Sequence, residues 1–468
     1  MDKLIRETLE GKTVVILGFG REGRSTYRLI RKALPGLTLT IADADEKVKA
    51  DPVAAGDPDI RWKLGKDYLK GLDTFDRIIR TPGISLRDLP VEILPGKITS
   101  QTDLFLRHYS RQVIGVTGTK GKSTTTTLIW HILKWAGRDA VLLGNIGRPA
   151  FTCLDEIGPE THIVFELSSH QLEYLAVAPH VSLLLNLFPE HLDTYPSFKD
   201  YRLAKWNIVL KQEKEDIFIF NADDPLIREL MNEMRLIRDF RPFSVETELC
   251  DGSFVKDGFV HYAGDCETEP VYDLSKKRKI KGDHNLRNIM AAITACKTLG
   301  ISNEIIQEGI ASFTGLEHRL EYVGEFHGIR FYNDSISTIP EATIAAVKTL
   351  DDVDTLILGG FDRGIDYSGL AEFLVHSPVR NLIFVGEAGR RINEEMKNRK
   401  EIKEVKGKKL FMVKRFDEFI DVAIKETKSG HICLLSPAAA SYDEFPDFEF
   451  RGERFKELAA RYEVRITE

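Results

Sequence analysis

The sequence predicts an α/β protein of three domains, and three observations carry that prediction. Short apolar runs recur between helical stretches, two of these runs end in glycine-rich turns that open a helix, and the alternation restarts after a polar, glycine-spaced interval. The length agrees: 468 residues exceed what one hydrophobic core supports, and a domain of about 150 residues divides the chain into about three. The boundaries are expected near 108 and 315, giving domains 1–108, 109–315 and 316–468.

In order, TVVIL (13–17) reads as a buried strand, GFGREG as a turn, STYRLIRKAL as a helix and LTLTIAD (37–43) as a second strand, which completes a βαβ unit. The second domain opens with QVIGV (112–116), the turn TGTKGKS and the helix TTTTLIWHILKWAG, which Gly137 is placed to end. HIVFEL (162–167), VSLLLN (181–186) and DIFIFN (216–221) are short apolar runs suited to buried parallel strands of a doubly wound sheet. Residues 240–280 are polar and punctuated by Gly252, Gly258 and Gly264, so they read as small antiparallel strands before a helix at 284–300. IRFYND (329–334), TLILGG (355–360), NLIFVG (381–386) and HICLLS (431–436) supply the strands of the third domain.

Composition narrows the function classes. Hydrophobic residues at 43% and charged residues at 29% exclude disordered and fibrous chains. A net charge of −7 gives no basic excess, so no nucleic-acid partner is expected, and the run Lys276, Lys277, Arg278, Lys279, Lys281 reads as a solvated loop. Cys153, Cys250, Cys266, Cys296 and Cys433 lack CxxC spacing, which argues against disulfides or a thiolate metal site and for a reducing compartment. The opening MDKLIRETLEGK has no apolar signal core, and no apolar run approaches the roughly 18 residues of a membrane span, so a cytoplasmic protein is expected.

The most specific local signal is GTKGKST at 118–124, set between an apolar strand and a helix as a phosphate-binding loop requires. Gly118 and Gly121 let backbone N–H groups turn toward phosphate, Lys122 would reach the β/γ-phosphates, and Ser123 would ligate magnesium. Gly115 stands at a different gap from the common GxxxxGK[ST] form. GFGREG, with Gly18, Gly20 and Gly23, matches GxGxxG, and Asp43 ends the next strand where a ribose-binding acid would stand. Alone it suits a dinucleotide, a UDP group or a turn without ligand. Glu166 and His191 follow apolar strands of the middle domain, so both could converge on the phosphate loop, although a lone histidine is more often structural. Lys205, in YRLAKWNIV on a helix, reads either as a lysine whose stem packs while its ammonium reaches water, or as an amine of depressed pKa able to capture carbon dioxide as a metal-binding carbamate.

GVTGTKGKST (115–124), ELSSHQLE (166–173), NLFPEHLDTYPSFKDYRLAK (186–205), GDHNLRN (282–288), EHRLE (317–321), NDS (333–335) and LLSPAAASYDEF (434–445) occur in one order across nearly the whole chain, and together they resemble the Mur ligases. The nearest likeness is to the members that add glutamate to UDP-N-acetylmuramoyl-L-alanine. The resemblance implies a Rossmann-like first domain holding UDP, a central P-loop ATPase domain and a Rossmann-like C-terminal domain that brings the amino acid. It places the UDP-sugar at Gly18, Gly20, Asp43, Thr81, Pro82, Gly83 and Asn145. It places ATP at Gly118, Thr119, Lys120, Gly121, Lys122, Ser123, Thr124, Asn288, Arg319 and Asp334. Two magnesium ions fall to Ser123, Glu166, His191 and carbamylated Lys205, with Lys122, His191 and Lys205 catalytic. Glutamate falls to Thr338, Arg363, Ser441, Tyr442 and Phe448. A monomer acting on small-molecule substrates, without nucleic acid or membrane, is the expectation.

Where the glutamate-adding relatives carry DSKATN, this chain reads Asp334, Ser335, Ile336, Ser337, Thr338, Ile339, Pro340, without the lysine. Arg363 stands where some relatives have lysine, Tyr442 where leucine is frequent, and DAD at 43–45 replaces DTR. A lost cation and added bulk alter how glutamate's two carboxylates are gripped, so D- and L-glutamate both stay open. Two other readings are a folylpolyglutamate-type amide ligase, which lacks a UDP-binding first domain, and a nucleotide-binding protein without catalysis. A nicotinamide-dependent dehydrogenase explains GFGREG but leaves GTKGKST unused.

Overall fold

Runs of three to five residues in the first hundred form a parallel five-stranded sheet. The computed structural model describes residues 1–89, 95–145, 148–190, 194–234, 239–264, 267–276, 278–280, 282–398 and 408–461. Strands β1 (Val14–Leu17), β2 (Leu39–Asp43), β3 (Ile60–Leu64), β4 (Arg77–Arg80) and β5 (Ile98–Ser100) lie in the order β3-β2-β1-β4-β5. That order reverses between β1 and β4, which in a doubly wound sheet marks the ligand crevice. Helices α1 (Asp2–Leu9), α2 (Arg21–Ala33) and α3 (Gln101–Tyr109) accompany the sheet. Gly23 lets α2 lie against β1, because a Cβ there would fall 2.2 Å from the Gly18 carbonyl oxygen.

The central sheet has nine strands: β6 (Val113–Thr117), β7 (Ala140–Gly144), β8 (His162–Glu166), β9 (Val181–Leu184), β10 (Ile217–Asn221), β11 (Asp239–Ser244), β12 (Gly252–Lys256), β13 (Phe259–Gly264) and β14 (Glu267–Asp273). Their order is β14-β13-β12-β11-β10-β9-β6-β8-β7, parallel from β12 to β7, with β13 antiparallel to both β12 and β14. The glycine-punctuated interval is thus an antiparallel extension of the parallel sheet, turned between β12 and β13 by Asp257 and Gly258, both at positive φ. Its helices are α4 (Lys122–Trp135), α5 (Ser169–Leu172), α6 (Phe198–Leu210), α7 (Pro225–Met234), α8 (Asp283–Thr298) and α9 (Asn303–Ser312). Both sheets belong to one compact unit, Met1–Phe313, and one apolar core runs through them from Val14 and Ile16 to Phe165 and Trp206. The basic run lies in the connection from β14 to α8; Lys277 and Lys281, like Cys266, lie outside the described residues. Cys153, Cys250, Cys296 and Cys433 are free thiols.

The second unit, Thr314–Glu468, holds six strands: β15 (Glu321–Phe326), β16 (Ile329–Asn333), β17 (Val353–Gly359), β18 (Asn381–Val385), β19 (Lys409–Val413) and β20 (Ile432–Leu435). The order is β15-β16-β20-β17-β18-β19, parallel except for the edge strand β15. Its helices are α10 (Pro340–Thr349), α11 (Ser368–His376), α12 (Gly386–Asn398), α13 (Phe419–Glu426) and α14 (Phe448–Arg461). Central β20 lies between β16 and β17, so the loops that follow these three strands leave the sheet side by side. Among the described residues no helix is long and apolar enough to cross a membrane.

Candidate active site

In the central sheet, β6 lies between β8 and β9, and its carboxyl end delivers the glycine loop to the N-terminus of α4. Gly121 caps that helix at φ +85, a conformation costly for any residue with a Cβ, and such a Cβ would fall 2.3 Å from Asn288 Oδ1. The loop is held from β9: Asn186 accepts from the Lys120 amide through Oδ1 (2.8 Å), donates to the Lys120 carbonyl through Nδ2 (2.9 Å), and accepts from the Thr119 amide through its own carbonyl (3.0 Å). Lys122 folds back onto the carbonyls of Gly118 (3.0 Å) and Thr119 (2.9 Å), while the Lys120 ammonium pairs with Glu190. Ser123 and Thr124, half-buried, begin α4.

Glu166 ends β8 beside this loop and is 1% exposed. Asn145 donates to its Oε1 at 2.9 Å, but Oε2 is buried without a hydrogen-bond partner among the described residues. A shielded carboxylate oxygen with no donor is what a bound cation would satisfy. Lys205, on α6 and 2% exposed, donates to the Gly118 carbonyl (2.9 Å) and lies over the Tyr201 ring at 4.9 Å. Burial, and secondarily the Lys122 charge, hold its pKa well below the ordinary lysine range, with Glu190 and Glu166 pulling the other way. Its ammonium does not reach water. Tyr201 in turn donates to Thr119 Oγ1 at 3.1 Å. His191 lies outside the described residues.

A cavity of about 620 Å³ opens beside the loop, lined by Lys120, Gly121, Asn221, His284, Arg287 and Asn288 together with Asp223 and Asp224, which lie in no segment the sequence analysis had singled out. The signal was present in NADDP after β10, where Asp224 accepts the Leu187 amide at 3.0 Å and Asp223 the Val245 amide at 2.8 Å. Short acids that serve backbone groups resemble ordinary turn residues in sequence.

At the end of the first sheet, Gly18 (φ +91) packs so close to Thr81 that a Cβ would meet Thr81 Oγ1 at 2.1 Å. Gly20 caps α2, and Pro82 and Gly83 continue the loop after β4. Asp43 accepts from the Phe19 amide (2.7 Å) and the Asp45 amide (2.9 Å), so it shapes this loop. ELSSHQLE reaches the same place: Gln171 donates to Glu22 at 2.9 Å, and buried Arg80 is held by Glu173 at 2.6 Å. Burial pushes Glu22 up to about 7.

In the second unit, Asp334 follows β16, 2% exposed, accepting from Ser436 Oγ (2.7 Å) and the Leu320 amide (3.2 Å); burial raises it to about 6. Arg319, exposed, acts on it electrostatically. Arg363, after β17, donates to the Thr338 carbonyl at 2.8 Å. Ser441 is buried after β20, and exposed Tyr442 meets Phe361 edge-to-face at 6.2 Å. Phe448 opens α14, its carbonyl accepting from Ser335 Oγ at 2.8 Å. The predicted amino-acid residues therefore share one end of one sheet. Phe361 and Arg451, also there, were not foreseen.

Residues 116–296 match the Mur ligase middle domain and residues 318–439 the Mur ligase glutamate ligase domain. The chain is 35% identical to the UDP-N-acetylmuramoylalanine--D-glutamate ligase of Acetivibrio thermocellus over 468 residues, covering 98% of each, and 34% identical to the protein of that name from Ruminiclostridium cellulolyticum, covering 97% of each. In fold it is similar to UDP-N-acetylmuramate-alanine ligase MurC of Thermotoga maritima (TM-score 0.53, 19% identity, 97% of this chain and 100% of that one). It is also similar to MurF of the same organism in complex with ADP (TM-score 0.51, 18% identity, 100% of both). The chain belongs to the Mur ligase family.

Proposed function

We propose that this protein is an ATP-dependent ligase that joins glutamate to UDP-N-acetylmuramoyl-L-alanine in the synthesis of peptidoglycan precursors. The observation that carries the reading is the phosphate loop with an unpartnered, buried carboxylate oxygen of Glu166 beside it, in a chain aligned end to end with relatives named for this reaction. Residues 1–108 would hold the UDP-sugar through Gly18, Gly20, Asp43, Thr81, Pro82 and Gly83, joined by Asn145 of the central domain. Residues 109–315 would bind ATP and 316–468 glutamate, the latter through Thr338, Arg363, Ser441, Tyr442 and Phe448.

The loop amides and the N-terminus of α4 receive the phosphates, and Lys122 exchanges its two carbonyl partners for phosphate oxygens. Asn288, packed against Gly121, would contact the nucleotide, the role that the family resemblance gives also to Arg319 and Asp334. Ser123, Glu166, His191 and a carbamylated Lys205 would hold two magnesium ions; the uncommitted oxygen of Glu166 fits that role. Magnesium, when bound, offsets phosphate charge during transfer. Lys205 suits carbamylation because burial favours its neutral amine, whose lone pair attacks the carbon of CO₂ as the nitrogen loses a proton, leaving an anionic carbamate.

Two steps then follow. The alanyl carboxylate attacks the γ-phosphorus, the bond to ADP breaks, and an acyl phosphate forms. The glutamate amine adds to the acyl carbon, sheds a proton, and phosphate leaves as the amide closes.

The relatives' name gives D-glutamate, whereas Ile336, Arg363 and Tyr442 change the pocket that would read the isomer. Phosphate release from ATP, magnesium and UDP-N-acetylmuramoyl-L-alanine, measured with D- and L-glutamate in parallel, decides between them. Release with D-glutamate alone means the altered pocket is tolerated, and release with L-glutamate alone means it sets the isomer. Silence with both overturns the muramoyl substrate.

A further inference from the structure

Arg451 is the second largest of the fully buried side chains, yet the charge of Asp443 is the one carboxylate that acts on it, and none of its described hydrogen bonds goes to a carboxylate. Its guanidinium spends its donors on backbone and hydroxyl oxygens. Nε donates to Ser335 Oγ (3.0 Å), Nη1 to the Ala440 carbonyl (3.1 Å), and Nη2 to the carbonyls of Ser335 (2.9 Å) and Ala439 (3.1 Å). These acceptors sit on the loops after β16 and β20. The loop after β17 is drawn in as well: the Phe361 amide donates to the same Ala440 carbonyl at 2.9 Å, and Gly360 packs so near that a Cβ would lie 3.0 Å from Nη1. Ala438, between the two acceptor segments, takes φ +58, a left-handed conformation that an alanine adopts only where its surroundings impose it. Burial lowers the Arg451 pKa to about 10, so the group stays charged at neutral pH.

Burying a cation is expensive, and a planar fork aimed at three carbonyls and a hydroxyl is the arrangement that offsets the cost while fixing what it touches. We propose that Arg451 is the positioning residue of the amino-acid pocket, clamping together the three loops that carry Thr338, Arg363, Ser441 and Tyr442. The pocket's identity rests on the ligase reading; the clamp does not. Arg451 lies behind the loops, so it acts on glutamate through them.

The test uses Arg451→Lys, which keeps the charge but loses the fork, and Arg451→Ala with and without added guanidinium, all in the full chain. Amide hydrogen exchange should speed up together in segments 335–339, 359–364 and 437–442 of Arg451→Lys, while β17 and β20 stay protected. In turnover, KM for glutamate should rise about tenfold to a hundredfold, the scale of a lost charge-assisted hydrogen-bond set, with KM for ATP within about threefold, and guanidinium should restore part of the Arg451→Ala activity. Exchange that is unchanged in Arg451→Lys, or raised evenly over the whole unit, overturns the clamp. So does an equal rise in every KM without rescue. If the wild-type protein is silent with both glutamate isomers, the ligase reading falls, and the exchange measurement alone decides on Arg451.

Discussion

Burying a carboxylate costs free energy unless something answers its charge, and Glu166 and Asp334 are answered differently. One oxygen of Glu166 has no donor among the described residues, whereas both oxygens of Asp334 have internal donors, Ser436 and the Leu320 amide. Those donors do not outweigh burial, which lifts Asp334 from 3.8 to about 6. The folded state thus favours the protonated acid. Its contribution to stability is complete below about pH 4 and is lost as pH rises through about 6. Asp334→Asn, which mimics the protonated form, should therefore gain on the wild type by on the order of 2 kcal/mol between pH 4 and pH 7. Denaturant unfolding of the second unit at the two pH values reads this; an equal difference at both would refute it. The position of Asp334 was legible in NDS, but its burial was not, since burial depends on β20, a hundred residues away. Arg451 had no local mark at all: one arginine among three in FEFRGERFKELAAR looks like any solvated helix residue until the loops close over it.

Elements were legible where glycine and apolar runs coincide. The loop from β6 to α4 is the clearest case, because Gly118 and Gly121 both adopt positive φ and the strand before them is wholly buried. Gly121→Ala should strain the backbone by about 1–2 kcal/mol and push Asn288 aside, so a fluorescent ATP analogue should bind at least about tenfold more weakly. Binding within about twofold of wild type would mean that the loop and Asn288 yield without cost. The strands β4 (RIIR) and β5 (ITS) escaped the sequence reading because so few residues carry no usable period. The edge strands β15 and β19 escaped as well: β15 (EYVGEF) interrupts its apolar residues with two glutamates and a glycine, and both strands stay largely half-exposed, as edges do.

At the scale of the whole chain, the order of motifs disclosed the three sheets, but it did not disclose that the first two share a core. That sharing is built by apolar contacts distant in sequence, reinforced by Gln171 with Glu22 and Glu173 with Arg80, which no window along the chain can display. The second unit is a separate compact body with apolar clusters of its own. In the proposed mechanism, formation of the acyl phosphate would draw on Lys122, Glu166 and Lys205 of the first unit, and capture by the amine on the pocket around Arg363. Arg363→Ala removes one exposed guanidinium from that pocket and costs the fold little, since its one described tie is to the Thr338 carbonyl. Glutamate-dependent turnover should then show a KM for glutamate raised about tenfold to a hundredfold. Acyl phosphate trapped by borohydride reduction in the absence of glutamate should accumulate as in the wild type. Lys122→Ala should abolish the trapped product as well as turnover. If Arg363→Ala also loses the trapped product, Arg363 serves the first step as well as the grip on glutamate, and the division of roles drawn for it falls.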